Sequence, residues 1–151
     1  MFIVGGCMDK IIEVYTDGGY RPLQRVGAYA FGIKINGKTR FEAGIKKGHN
    51  LNSNYVEFTA FVEAIKHLKK KGILNKRANI VVYTDSLNLK NTYDGLCFFY
   101  SLKSLSAAIR KIKKRYGTMI EVVWVPRNSV FEQKVCDLRC NMAMDHALVK
   151  R

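Results

Sequence analysis

Two runs of β-forming residues, far apart in the chain, end in nearly the same string: Tyr15-Thr16-Asp17-Gly18 and Tyr83-Thr84-Asp85-Ser86. The first follows Ile11-Ile12-Glu13-Val14 and the second follows Ile80-Val81-Val82, so each predicts a strand with an aspartate at its end. The second run is apolar throughout, which suits a buried central strand. In open α/β sheets, functional side chains gather at the carboxyl ends of strands. If these two strands are neighbours, Asp17 and Asp85 leave the sheet at the same edge. Two carboxylates held that close repel each other unless a divalent cation neutralises them. Oxygen-only ligation then points to Mg²⁺ or Mn²⁺. Taken singly, each aspartate reads equally well as a turn former or a helix cap.

The remaining pattern places further elements around that pair. Residues 11–16, 26–35 and 38–45 predict three antiparallel strands, the last two joined by the hairpin signal Asn36-Gly37. After a polar loop from Gly48 to Asn54 the period changes. Val56, Ala60, Phe61, Ala64, Ile65 and Leu68 form a helical stripe that stops near Gly72. Asp85-Ser86 begins a short helix reaching about Asp94, and residues 101–116 form a longer amphipathic one closed by Gly117. Met119 to Val125 predicts a fifth strand, Pro126 to Lys134 a loop, and Val135, Cys136, Cys140, Ala143 and Ala147 one face of a last helix. The order βββαβααβα is that of an α/β sheet without internal repeat or linker. At 151 residues the whole of 1–151 is expected to form one domain.

Composition narrows the partner. Lys and Arg number 26 against 12 Asp and Glu, a net charge of +14, which favours a polyanion, nucleic acid first. The plainer alternative is a solubilising surface. No apolar run approaches the roughly 20 residues that span a bilayer, and Met1 to Cys7 lacks the basic start of a signal peptide. A soluble cytoplasmic protein is the expectation. Cys7, Cys97, Cys136 and Cys140 include no C-x-x-C pair. Cys136 and Cys140, with His146 beyond, read as apolar residues on a buried helix face more readily than as metal ligands.

Two more acids complete a candidate site: Glu57 at the start of the first helix and Asp137 near the start of the last. Four carboxylates around one point can hold two hard cations about 4 Å apart, an arrangement suited to phosphodiester hydrolysis. Cations outside that centre would hold the nucleic-acid backbone without reading its sequence. Two clusters qualify, although a solvated helix face is the alternative for both. One is Lys66, Lys69, Lys70, Lys71, Lys76 and Arg77; the other is Lys103, Arg110, Lys111, Lys113, Lys114 and Arg115.

From about Lys10 to His146 the chain resembles the ribonuclease H family, type 1. The resemblance rests on Tyr15 to Gly18, on Asn52-Ser53-Asn54-Tyr55-Val56-Glu57-Phe58-Thr59-Ala60, on Val82 to Ser86, and on Trp124-Val125-Pro126 followed by Cys136-Asp137 and Ala143. It implies a five-stranded mixed sheet, three antiparallel strands then two parallel, flanked by helices. It also implies a two-metal site of Asp17, Glu57, Asp85 and Asp137, and endonucleolytic cleavage of the RNA strand of RNA–DNA hybrids. Attack by metal-activated water would leave a 5′-phosphate and a 3′-hydroxyl. Gly18 would let a ribose approach the backbone, and Asn54, flanked by Asn52 and Ser53, would contact the hybrid. Ser86 and the cations Arg110, Lys111 and Lys114 join the nucleic-acid contacts.

Three departures qualify the resemblance. The loop before the last aspartate lacks the family's usual histidine; Arg127 and Asn128 lie nearest, and Glu132 is a substitute helper. The spacing from Trp124 to Asp137 leaves Asp145 as a rival fourth ligand. The basic handle helix of some members is missing, and no separate hybrid-binding domain is expected. Two other functions stay open: a binding module of the same fold that cuts nothing, and a nuclease acting on double-stranded RNA or a DNA junction. A monomer is expected.

Overall fold

The computed structural model describes residues 3–4, 7–8, 10–48, 50–75 and 77–149. Lys76, part of the first basic cluster, lies outside the described residues. Five strands form one sheet: β1 (Lys10–Arg21), β2 (Val26–Ile35), β3 (Lys38–Lys47), β4 (Ala78–Thr84) and β5 (Ile120–Trp124). Their spatial order is β3-β2-β1-β4-β5, antiparallel from β3 to β1 and parallel from β1 to β5. This is the mixed sheet of the RNase H fold implied by the sequence motifs. Two short strands, Ile3–Val4 and Cys7–Met8, pair antiparallel in a separate sheet.

Four helices cover the sheet: α1 (Ser53–Lys70), α2 (Leu87–Tyr93), α3 (Lys103–Tyr116) and α4 (Phe131–Val149). Strand alternation divides the core in two. Ile12, Val14, Phe31 and Ile33 pack with Phe58, Phe61, Leu68 and Ile109 on the side of α1 to α3. Tyr15, Val26, Ala28 and Ala30 pack with Cys136, Cys140 and Met144 of α4 on the other. Among the described residues no helix is long and apolar enough to cross a membrane.

Local chemistry accounts for the boundaries. Asn36 and Gly37 both take positive φ, 53° and 79°, as a tight two-residue hairpin turn requires. The Asn52 side chain accepts the Tyr55 N–H at 2.8 Å and starts α1 at Ser53. Ser86 starts α2 in the same way through Leu89. Edge strand β5 is closed off by α2. The buried Tyr93 hydroxyl donates to the Ile120 carbonyl at 2.7 Å, and Lys90 Nζ donates to that of Val122 at 3.1 Å.

Two boundaries differ from the sequence pattern. β1 does not end before Asp17: it runs through Gly18 and Gly19 to Arg21, so the aspartate sits inside a strand. The Asp-Gly-Gly run looks like a turn, but antiparallel pairing with β2 continues to Arg21↔Val26, and the chain reverses over residues 22–25. The last helix begins at Phe131 rather than Val135. The chain turns at Asn128, φ 57°, and the N–H of Lys134 already bonds the Val130 carbonyl. The exposed Phe131 and the buried Gln133 hide that first turn from a search for an apolar stripe.

Tyr93→Phe would leave the Ile120 carbonyl unpaired in a buried place while conserving the ring that packs edge-on against Phe61. A loss of about 1–3 kcal/mol in unfolding free energy is expected from chemical denaturation, with the denaturant slope unchanged.

Candidate active site

The twin strings lie side by side. Parallel pairing of β1 with β4 reaches Tyr15↔Tyr83, whose rings stack with centroids 5.1 Å apart. Two residues further along each chain come Asp17, on the Tyr15 face of β1 by strand alternation, and Asp85, just past the end of β4. The Thr16 hydroxyl donates across the pair to the Tyr83 carbonyl at 3.4 Å. On the far side of Asp85, the Val125 N–H bonds the Thr84 carbonyl at 2.8 Å and the Trp124 indole N–H bonds the Asp85 carbonyl at 3.1 Å. Backbone and indole donors from the end of β5 thus hold the turn that carries Asp85.

Glu57 arrives from the other layer. It lies in the second turn of α1, and Gly18 is what lets that turn come close. A Cβ on Gly18 would sit 2.7 Å from the backbone of both Val56 and Glu57. The role found for Gly18 is therefore helix-to-strand packing, beyond the ribose approach that the family motif implies. Asp17, Glu57 and Asp85 each bring a carboxylate oxygen within 4.8 Å of the others.

The same three, with Gly18, Ser53, Asn54, Ser86, Arg127 and Asp137, line a cavity of about 540 Å³. Asp137 faces the cluster electrostatically but falls outside the tight triad. The rival Asp145 is engaged elsewhere, 2.6 Å from Arg21.

The electrostatics are those of a site whose buried acids outnumber the cations beside them. Burial pushes Asp17 up to about 7, helped by the charges of Asp85 and Asp137, while hydrogen bonding from the Gly18 backbone and with Glu57 pulls the other way. Glu57 is raised well above the usual carboxylate range, again by burial first and then by Asp17 and Asp85. Its Oε2 is buried without a hydrogen-bond partner. Asp85 is raised by burial and opposed by the Arg127 guanidinium. A buried acceptor without a donor, inside a set of convergent carboxylates, fits a hard divalent cation. Oxygen-only donors do not suit a soft metal.

Several expected residues lie elsewhere. Asn52 is spent on capping α1 and is not in the cavity lining. Asn128 and Glu132 do not line it either, and Glu132 faces Lys34 at 3.9 Å. Of the loop candidates only Arg127 reaches the cavity. Arg110, Lys111 and Lys114 are exposed on α3, outside the lining, and Arg110 lies over the Phe98 ring at 4.6 Å. Cys136 and Cys140 are buried free thiols directed at the Tyr15 and Asp17 carbonyls, in keeping with a packing role.

The lining also includes Arg21, Asn88, Asn141 and Met144. Their signals are faint but physical. Arg21 follows Asp17 by two strand repeats, and Asn141 and Met144 follow Asp137 at helical spacing. Asn88 donates to Asn54 at 3.0 Å and so links α2 to α1 along the cavity wall.

The RNase H family matches residues 9–124. LC11-RNase H1, isolated from compost by a metagenomic approach, is 26% identical; the alignment covers 93% of this chain and 99% of that one, with a TM-score of 0.79. LC11-RNase H1 in complex with an RNA/DNA hybrid gives 24% identity, 91% and 99% coverage and a TM-score of 0.78. RNase H1 from the halophilic archaeon Halobacterium salinarum NRC-1 gives 18%, 90% and 98%, and 0.72, a likeness of fold alone. No curated protein sequence matches. The matched residues carry Asp17, Glu57 and Asp85, and Asp137 lies beyond them. Since that match takes in every strand of the sheet and the helix that brings Glu57 to it, the chain belongs to the RNase H family.

Proposed function

We propose that the chain hydrolyses the RNA strand of RNA–DNA hybrids at the Asp17–Glu57–Asp85 cavity, using Mg²⁺ or Mn²⁺ held by those carboxylates. The observation that carries this reading is the convergence of three acids from three elements within 4.8 Å, in a chain of this family. The hybrid bound to LC11-RNase H1 supports the substrate class. Divalent cations supply charge stabilisation and water activation for phosphodiester hydrolysis. Asp137, across the cavity, would complete a second cation position.

The chain's own groups divide the remaining work. Arg127 places a permanent positive charge beside Asp85, suited to a phosphate oxygen. Its planar fork of N–H donors matches phosphate geometry, so Arg127 would hold and orient the phosphate. Ser53, Asn54, Ser86 and Asn88 offer hydroxyl and amide groups on one wall, chemistry that reads 2′-hydroxyls. Lys111 and Lys114 on α3 would favour the backbone of a longer duplex.

Labelled hybrid, duplex RNA, duplex DNA and single strands, each incubated with Mg²⁺ or Mn²⁺, test the proposal. Selective cutting of the hybrid is expected, and Asp17→Asn is expected to lower it about a thousandfold, since each decade of rate corresponds to about 1.4 kcal/mol of lost stabilisation. Unchanged cleavage by Asp17→Asn would refute the assignment.

Proton competition gives a second test. Folded Asp17 keeps its proton up to about 7, whereas the unfolded chain releases it near the ordinary value of about 4. Over that window the folded state binds more protons, so without metal this group's contribution to stability falls as pH rises. Asp17→Asn should therefore be more stable than the parent at pH 8 and should lose that advantage at pH 5, as read from thermal melts in chelator. With limiting metal, parent cleavage should rise with pH through about 7.

Trp124 is the only tryptophan and bonds the Asp85 turn, so its emission should change on titration of the resting protein with Mn²⁺. Trp124→Phe should raise the Mn²⁺ concentration needed for half-maximal cleavage. A flat emission titration in a cleaving preparation would separate this residue from the cation site.

A further inference from the structure

Helix α4 is apolar on two opposite faces, and the sheet uses only one of them. Gln133, Cys136, Cys140 and Met144 are buried, and the last three pack on β1 and β2. At about 100° per residue, Phe131, Leu138, Met142 and Val149 fall within about 20° of a single line on the far side of the helix. They are 71%, 57%, 57% and 84% exposed, so this line faces solvent along its whole course. It runs for about 27 Å, at about 1.5 Å per residue. A helix that packs on one sheet needs only one apolar face, and large apolar side chains exposed in a row mark a contact surface.

The stripe is its own complement. Phe131 and Val149 lie nine residues either side of Cys140, and Leu138 and Met142 lie two either side. Two copies of α4 laid antiparallel about that point would set Phe131 of one against Val149 of the other, and Leu138 against Met142. Charge follows the same symmetry. Lys134 and Asp145 flank the stripe on one side, about 60° and about 40° from its line, six residues before Cys140 and five after it. A two-fold axis brings Lys134 of each copy to Asp145 of the other. Lys134 is exposed, and among the described residues no ion pair engages it. The Asp145 side chain stays 66% exposed although its Oδ1 bonds Arg21.

An apolar helix face on a strongly basic protein would also suit an anionic membrane. Asp145 decides between them. A carboxylate at the edge of the stripe is repelled by anionic headgroups, whereas a second copy meets it with a lysine. We propose that the outer face of α4 is a self-association surface, on which two copies of this chain pair antiparallel through Phe131, Leu138, Met142 and Val149, with Lys134 of each copy on Asp145 of the other. This departs from the monomer expected from the sequence alone. One helix pair is at the small end of specific interfaces, so association in the micromolar range is expected.

Sedimentation equilibrium of the full chain, over roughly 1 to 200 μM, tests this. Salt of about 0.3 M screens the repulsion between two chains that each carry +14. The apparent mass should rise with concentration from 17.2 kDa toward twice that value and no further. Leu138→Glu combined with Met142→Glu should keep the chain single throughout. Lys134→Glu and Asp145→Lys should each weaken association about tenfold, and the two together should restore it to within about threefold of the parent, because the pair is then rebuilt with its signs exchanged. Circular dichroism establishes that each variant is folded. A parent that stays single at every concentration would overturn the proposal. So would association unaffected by the Leu138 and Met142 variant, or charge reversals that fail to rescue one another. Co-sedimentation with vesicles of phosphatidylserine and phosphatidylcholine supplies the remaining arm: a single chain that binds them, and loses them in the Leu138 and Met142 variant, would overturn self-association and give the face to a membrane. None of these readouts uses cleavage, so they decide the matter even for a chain that cuts nothing.

Discussion

The parallel pairing of β1 with β4 at Tyr15↔Tyr83 governs the whole active region. It brings two acids from positions 68 residues apart to the same end of the sheet, with carboxylate oxygens within 4.8 Å. A slip of one residue would turn one of them to the opposite face and separate the pair. The register is held by packing on both sides. Ile12 and Val14 are buried against α1, Tyr15 stacks on Tyr83, and Val82 is buried in the same core. Gly18 then admits α1, and with it Glu57. The catalytic constellation follows from hydrophobic register together with one missing side chain.

That constellation is costly to the folded chain without metal. Asp17 is only 6% exposed and Glu57 carries a buried oxygen without a donor, in a protein that is otherwise strongly basic. The surplus of Lys and Arg does not relieve them, because apart from Arg21 and Arg127 the cavity lining holds no cation. Keeping cations out of the centre leaves the carboxylates available to a metal, and burial raises what a bound divalent ion would gain there. Positive charge is placed outside instead, on α3, where Arg110, Lys111 and Lys114 meet solvent.

Legibility in the sequence followed the range of the interactions concerned. The Asn36-Gly37 turn, the apolar run of β4 and the stripe of α1 are local patterns and stand where the spacing puts them. Asp-Gly-Gly at 17–19 is also a local pattern, and there tertiary pairing overrides it: β2 continues alongside, and the strand extends to Arg21. Asn52 satisfies a helix N–H, a purely local demand that competes with any contact to substrate. Glu132 misses the cavity because the earlier start of α4 faces it toward Lys34.

Taken alone, the sequence determined the elements, their order, the family motifs and the identity of three clustered acids, because each depends on short-range spacing or on residue type. Only the tertiary structure decided how close those acids stand, that Asp137 remains outside the triad while Asp145 goes to Arg21, and that Arg127 alone of the loop candidates reaches the cavity. Each of these depends on strand register, helix start or close backbone approach. Those are outcomes of packing between distant segments, and a one-residue change in any of them redirects a side chain.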